Sequence, residues 1–400
     1  MKGFSTWRIG VASCCATVTM ALIMWNRWMH FSRDKKKAVN GEESDGKNRV
    51  SLGGEEGGEV LGEGVGEIKE IKEIKEIKEI KELPQPSWIK VGEIKELYFY
   101  PLKSGRGREV LDCQFTEYGI ALEDKEGLIL RDRMFLVYNE ETGKFITGRN
   151  YPTLILVTLT TVDESRVQLQ ATGVPNLIFA LPQSSNDSLA ITCKMWFGET
   201  VKCIDCGPAP AQWISKFLTG TDSGLRIGIA MKGRRSILKG PWERFKKVYE
   251  TLRSEDTGFF ADLASYMLMS KSSLDELNSR LENCVSSLQF RPNIVVSGSL
   301  PFDEDNWEWI KIGNSAVIRN VKPCPRCSMI GIDPHSAVIN DQEPYNILKS
   351  FREQTDDRKI KVDGKAPVMG IYCGLYSTGN VKIGDDVFVH MPKTVCTTPV

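Results

Sequence analysis

Two cysteine pairs carry the chemistry this 400-residue sequence can offer. Cys324 and Cys327 lie in Pro323-Cys324-Pro325-Arg326-Cys327, and Cys203 and Cys206 bracket Ile204-Asp205. A thiolate beside an arginine is either a reactive sulfur or a soft metal ligand, because a neighbouring cation favours the ionised thiol. Neither role needs imidazole, and the chain has only three histidines. Joined, the two pairs would make a four-thiolate zinc site, but more than a hundred residues separate them, far outside the usual ligand spacing. A thioredoxin-like pair would sit at a strand-to-helix junction of a βαβ unit, and no such unit is visible. Cys327 stands apart because Arg326 adjoins it and Pro323 and Pro325 stiffen what reads as a loop. A buried thiol in a tight loop is the competing reading, and the motif alone leaves the two open. Cys113, Cys193 and Cys284 read as small core residues.

A reactive sulfur needs a cradle, and the cradle residues available are basic and polar. Lys103-Ser104 reads as a strand end offering a point charge and a hydroxyl to a phosphate. Arg131-Asp132-Arg133 opens another strand, with Arg131 and Asp132 paired and Arg133 free. Arg291-Pro292-Asn293 opens a third, where the guanidinium can fork onto an anion and the amide can both donate and accept. Each alone is an ordinary surface or turn residue. Together with a reactive sulfur they suggest an anionic ligand.

The elements that must position these groups are mostly strands. Glu93–Tyr100, Arg133–Tyr138, Leu154–Thr160, Phe290–Ser297 and Trp309–Arg319 carry the alternation or β-branched content of strands. Gly370–Tyr376 and Val387–Met391 close the chain in the same way. Helical spacing is confined to Ala209–Leu218, to a helix opened by a Ser273–Glu276 capping box, and to Pro344–Phe351. Many short strands with few helices predict a mainly β fold with some α (α+β), a β-barrel core decorated with helices.

Composition bounds the rest. Lys plus Arg and Asp plus Glu are 52 each, so the formal charge is zero, which argues against a dedicated nucleic-acid binder. A hydrophobic fraction of 41% supports a sizeable core. Eleven cysteines, several in apolar settings, read as reduced cytosolic thiols. Residues 9–25 contain no charge and approach the ~20 residues that span a bilayer. The heavier basic flank follows them, so residues 1–32 read as a retained signal anchor with the bulk of the chain facing the cytosol. Residues 33–91 read as a linker: a Gly- and Glu-rich spacer followed by a strict EIK repeat over 67–82. A period of three winds the isoleucines around a helix, so the repeat reads as a solvated stalk.

Taken in order, Tyr100-Pro101-Leu102-Lys103-Ser104, Leu130-Arg131-Asp132-Arg133, Asn278-Ser279-Arg280-Leu281, Phe290-Arg291-Pro292-Asn293-Ile294, Pro323–Cys327 and Ile332-Asp333-Pro334 resemble the MOSC-domain proteins of the mitochondrial amidoxime-reducing component type. The resemblance runs from about Gly92 to Met391. It implies an N-terminal β-rich MOSC subdomain over 92–225, a MOSC-type barrel domain over 235–391, and a short tail over 392–400. It also implies a molybdenum-pterin cofactor with Cys327 as thiolate ligand. Lys103, Ser104, Arg133, Arg291 and Asn293 would then hold the pterin and its phosphate. Arg326 would neutralise charge beside the metal, Tyr372 would contact the cofactor, and Asp262 would handle protons near it. The implied activity is reduction of amidoximes, hydroxylamines, N-oxides and nitrite, with electrons from NADH through cytochrome b5 reductase and cytochrome b5. The implied site is the outer mitochondrial membrane, with the endoplasmic reticulum as the alternative. Two departures stand out. Asp262-Leu263-Ala264-Ser265 replaces a common Asp-Thr-Ser-Pro, and Pro325 replaces a common Ser or Thr. A cofactor carrier or persulfide-transfer module, and a non-enzymatic tethered binder, are the rival functions.

Overall fold

The computed structural model describes residues 87–391 apart from 124–126, 183–189, 232, 234 and 236–239. The anchor read at 9–25, the spacer, the EIK repeat and the tail lie outside these residues. No helix among the described residues is long and apolar enough to cross a membrane.

A closed seven-stranded barrel forms the centre. Its strands are β1 (Ile89–Phe99), β2 (Tyr266–Ser270), β3 (Ile294–Ser297), β4 (Trp309–Ile312), β5 (Ala316–Pro325), β6 (Val368–Ser377) and β7 (Asp386–His390). They pair in the order β3-β2-β6-β5-β4-β7-β1, and a β1–β3 ladder closes the ring. Closure removes the exposed edge that an open sheet would present. The β2–β3 ladder is parallel and the other six are antiparallel. Six strands come from the last third of the chain and the seventh from the first described residues, so both ends of the described chain build one core. The reverse exchange also occurs: Gly379–Lys382 pairs with Asp112–Thr116 in a four-stranded sheet of otherwise early strands. A five-stranded and a three-stranded sheet complete the early segment.

Period-two alternation fills the barrel. Ile310 and Ile312 on β4 face Val389 and Val387 on β7, and all four are fully buried. Burying each such side chain stabilises the fold by about 1.5–3 kcal/mol. The intervening Lys311 points the other way, with its ammonium 5.7 Å from the Phe388 ring. The β1–β3 closure depends on glycine. A Cβ on Gly92 would lie 1.7 Å from the Ser297 carbonyl oxygen, and one on Gly298 (φ +104°) would lie 2.8 Å from the Gly92 Cα. Only two residues without side chains let these backbones approach so closely.

Several local expectations are corrected. The helix expected to open at Ser273 spans Lys271–Asn278, and its cap is Ser270, whose hydroxyl accepts from the Ser273 amide. Ser273 instead donates its hydroxyl to the buried Glu304. The strand expected at 154–160 is a 3-10 helix over Pro152–Leu156 followed by a strand over Thr158–Thr161. Strands expected to start at Arg133 and Phe290 start at Phe135 and Ile294, because Arg133 and Arg291 both adopt positive φ. Cys284 is exposed, whereas Cys113 and Cys193 are in the core as expected.

Gly92→Ala should destabilise the protein by about 3 kcal/mol in urea denaturation, since the new methyl must force β1 off β3. Gly127→Ala, which meets no atom within 4 Å, should cost only about 1 kcal/mol, from its positive φ alone.

Candidate functional site

The cysteine motif is not a loop. Pro323, Cys324 and Pro325 are the last residues of β5, and the register against β6 shifts between the two prolines. A proline lacks the N–H that a regular ladder uses, so it survives in a strand only at such an irregularity or on an unpaired side. Cys324 is thereby turned inward and is 2% exposed. Burial pushes its thiol up, with Arg326, a Tyr372 hydrogen bond and Lys322 offsetting part of the rise. The chain leaves the strand at Arg326, and Cys327 emerges exposed on the wall of a cleft.

That cleft gathers every residue singled out for a site role: Lys103, Ser104, Arg133, Asp262, Arg291, Asn293, Arg326, Cys327 and Tyr372 all line it. They arrive from six separate stretches of chain. Three of them, Ser104 (φ 61°), Arg133 (φ 49°) and Arg291 (φ 53°), are non-glycine residues in the left-handed region. Each such residue costs roughly 1–2 kcal/mol of backbone strain, and strain of this kind persists where surrounding contacts over-determine it, commonly at ligand sites. The Arg133 amide donating to the Tyr100 carbonyl at 2.6 Å, and the Arg291 amide donating to Leu288 at 3.1 Å, supply part of that determination.

The Tyr100 ring organises the two arginines. The guanidinium carbons of Arg133 and Arg291 lie 4.3 and 4.4 Å from its centroid. Asp132 pairs with Arg133, not with Arg131 as expected, and it also accepts from the Tyr100 amide at 2.9 Å. Arg133 is therefore not free on every side: it also donates to Asn293 Oδ1 at 3.2 Å and to the Arg291 carbonyl at 3.3 Å. Asn293, 1% exposed, donates to the Tyr98 carbonyl and accepts from the Met267 amide. Its amide is consumed in positioning Arg133.

Lys103 donates to the Phe260 carbonyl at 2.8 Å and to the Asp262 carboxylate. Burial lowers its pKa and Asp262 opposes the fall. Burial would raise the Asp262 carboxyl, but the charge and hydrogen bond of Lys103, joined by Trp196 Nε1 donating at 2.8 Å, hold it well below the usual carboxylate range. In this geometry Asp262 is the carboxylate partner of Lys103 and an acceptor for the Trp196 indole. Arg326 spends its hydrogen-bond donors inside the protein. Its Nε and Nη2 donate to the Met369 carbonyl, and Nη1 donates to the Phe290 carbonyl at 2.8 Å. Its hydrogen bonds tie the β5 exit to the start of β6, and only its charge is offered to the cleft.

The charge balance shows what the cleft can hold. Lys103 and Arg133 have carboxylate partners, whereas Arg291 and Arg326 have none among the described residues. Arg291 is the more exposed to the imbalance. Burial lowers its pKa to about 10, the like charge of Arg133 adds to the fall, and its buried Nη2 meets no hydrogen-bond partner. An unpartnered buried guanidinium costs several kcal/mol unless an anion meets it. The donor set thus fits a ligand with an anionic group at Arg291 and a soft centre at the Cys327 sulfur, as a phosphate-bearing pterin with its molybdenum would present.

Other nominated residues stay apart. Cys203 and Cys206 are buried in and beside the five-stranded sheet, where Cys203 meets Cys193 with sulfurs 3.2 Å apart. No cluster of metal-ligating side chains occurs among the described residues, so the four-thiolate zinc reading has no site. Ser265 donates to the Asp256 carbonyl at 3.1 Å, so it does not replace the hydroxyls missing around Asp262. The stacking role of Tyr100, like the Trp196 bond to Asp262, has no local signature. These groups meet over separations of tens to more than a hundred residues.

Sequence comparison agrees with this geometry. The MOSC domain profile matches residues 256–388, and the MOSC N-terminal beta barrel domain profile matches residues 91–221. The chain is 33% identical over 301 residues to mitochondrial amidoxime-reducing component 1 of Homo sapiens, covering 75% of this chain and 83% of that protein. It is 35% identical over 301 residues to mitochondrial amidoxime reducing component 2 of Bos taurus, with the same coverage.

Arg291→Gln should weaken pyrophosphate binding at pH 8 by about tenfold in calorimetry, the scale of one charge-assisted contact, with thermal unfolding confirming that it folds.

Proposed function

The chain belongs to the MOSC-domain family that includes the mitochondrial amidoxime-reducing components, and from that premise we propose that it is a reductase of N-hydroxylated nitrogen compounds using a molybdenum-pterin cofactor held in the cleft. The observation that carries the reading is the exposed Cys327 thiol sharing one cleft with the buried, partnerless Arg291 donor. Soft thiolate suits a soft metal, and guanidinium suits a phosphate.

When bound, the cofactor would supply the two-electron redox chemistry that side chains lack. The net reaction takes two electrons and two protons, breaks the N–O bond of an amidoxime, hydroxylamine or N-oxide, and releases water. Cys327 would anchor the metal as the thiolate. Arg291, Arg133 and Lys103 would meet the anionic end, with the Ser104 hydroxyl beside them. Asn293 and Asp132 hold Arg133 in place. Asp262 fixes Lys103 and Trp196. Tyr372 lies against Cys324 behind the metal ligand.

Electrons must come from outside, since the sequence has no haem-attachment motif and no dinucleotide fingerprint after a strand. Cytochrome b5 with its NADH-dependent reductase is the proposed donor chain. The relatives' names support a mitochondrial location, and the uncharged 9–25 stretch with its basic flank supports anchorage in the outer membrane facing the cytosol.

Cys327→Ala should lose molybdenum, by metal analysis of the purified full chain, and lose N-hydroxy reductase activity to background. Cys324→Ala should keep both, because its thiol is buried. Wild-type molybdenum and activity in the Cys327 variant would defeat the assignment.

A further inference from the structure

A second groove opens beside the cleft and shares a wall with it. Trp196 and Phe145 line the groove, packed edge-on with centroids 4.5 Å apart. Trp196 donates to Asp262, and the Phe145 ring lies 5.5 Å from the Lys103 ammonium, so each aromatic touches a cleft residue from behind. The groove has a volume of about 530 Å³, room for the body of a small organic molecule.

Its rim is cationic. Lys144 and Lys194 sit side by side on a parallel bridge, and Arg149 lies 4.3 Å from the Trp196 ring centroid. All three are exposed and none forms an ion pair with a described residue. No carboxylate lines the groove. The wall is also rigid. Phe197, 54% exposed, holds a left-handed backbone (φ 58°, ψ 19°), with Arg244 4.3 Å from its ring and Trp242 edge-on at 5.2 Å. Beneath the turn, buried Glu199 receives both Arg235 (2.8 and 2.6 Å) and Trp242 (2.9 Å). Arg235 also donates to the Ala261 carbonyl, next to Asp262. Groove wall and cleft wall are therefore one braced unit, and braced non-glycine residues in the left-handed region cluster at ligand sites.

We infer that this groove is the specificity subsite for the non-reacting part of the substrate, and that it selects N-hydroxylated compounds with a planar apolar body and an anionic substituent. The ring would lie against Trp196 and Phe145, the anion would reach Lys144, Arg149 or Lys194, and the N–OH end would point past Asp262 into the cleft. This deepens the proposed function and rests on it.

The test compares a neutral aryl amidoxime with its carboxylate-bearing analogue, using the full chain and the Arg149→Gln/Lys194→Gln double variant. KM for the anionic analogue should rise about tenfold in the variant, the scale of one charge-assisted contact, while KM for the neutral compound stays within about twofold. Direct binding of the anionic analogue by calorimetry should weaken by the same factor whether or not the protein carries metal. An unchanged Kd for that analogue overturns the subsite. So does an equal loss of turnover for both compounds that appears with the protein electron donor and vanishes with dithionite, which would make the cations a docking face. If the wild type binds the anionic analogue in this charge-dependent way but reduces neither compound when metal-loaded, the proposed activity fails and the groove stands as a binding site.

Discussion

Uncompensated positive charge in a closed cleft is the constraint on which the rest of this structure depends. Four cations converge there and two carboxylates answer them. The carboxylates are not placed at random: Asp132 takes Arg133 and Asp262 takes Lys103, leaving Arg291 to face the open space. Removing either carboxylate would leave a second buried cation unmatched, at a cost of several kcal/mol. Arg291 and Arg326 are left with charge that an anion in the cleft can answer.

Holding that charge in place requires backbone conformations that side-chain-bearing residues avoid. Ser104, Arg133 and Arg291 each sit at positive φ and each lines the cleft. β1 must run beside β3 to complete the ring, and Gly92 against Gly298 lets it do so. The same strand then delivers Tyr100, Lys103 and Ser104 over the mouth. The stacking platform for both arginines is thus supplied by the first strand of the fold, and the arginines themselves by later segments. The function of the cleft is inseparable from the interleaving of early and late chain.

Much of this was legible locally. Short alternating segments predicted a barrel with few helices, and the helix at Pro208–Thr219, stopped by left-handed Gly220, follows its apolar spacing. The basic and polar residues nominated from strand ends do share one cleft. What failed were contacts with no local pattern. Arg131 and Asp132 are neighbours in sequence, yet the carboxylate turns to Arg133, because the strand containing Arg131 pairs with Gly119–Glu123 and faces the other way. Ser273 looks like a cap, but Glu304, 31 residues away, claims its hydroxyl, and Ser270 takes over the helix end. The Glu199–Arg235 brace and the aromatic groove above it join segments whose meeting no periodicity announces.

The sequence by itself determined the chemical vocabulary: two sulfurs separated by a proline and an arginine, few imidazoles, and a set of cations and amides spaced along strand ends. Residue type and short-range pattern suffice for that, because ionisation tendency, ring stacking and ladder compatibility are intrinsic to the side chains. The tertiary structure alone decided how deeply each of the two neighbouring cysteines sits. β5 continues through Pro325, so pleating turns Cys324 into the core, where burial disfavours its thiolate. The strand ends two residues before Cys327, which is left on the wall of a cleft whose positive charge is only half answered. Where a strand stops is set by its neighbour β6 in the barrel, a long-range pairing that no reading of five residues contains.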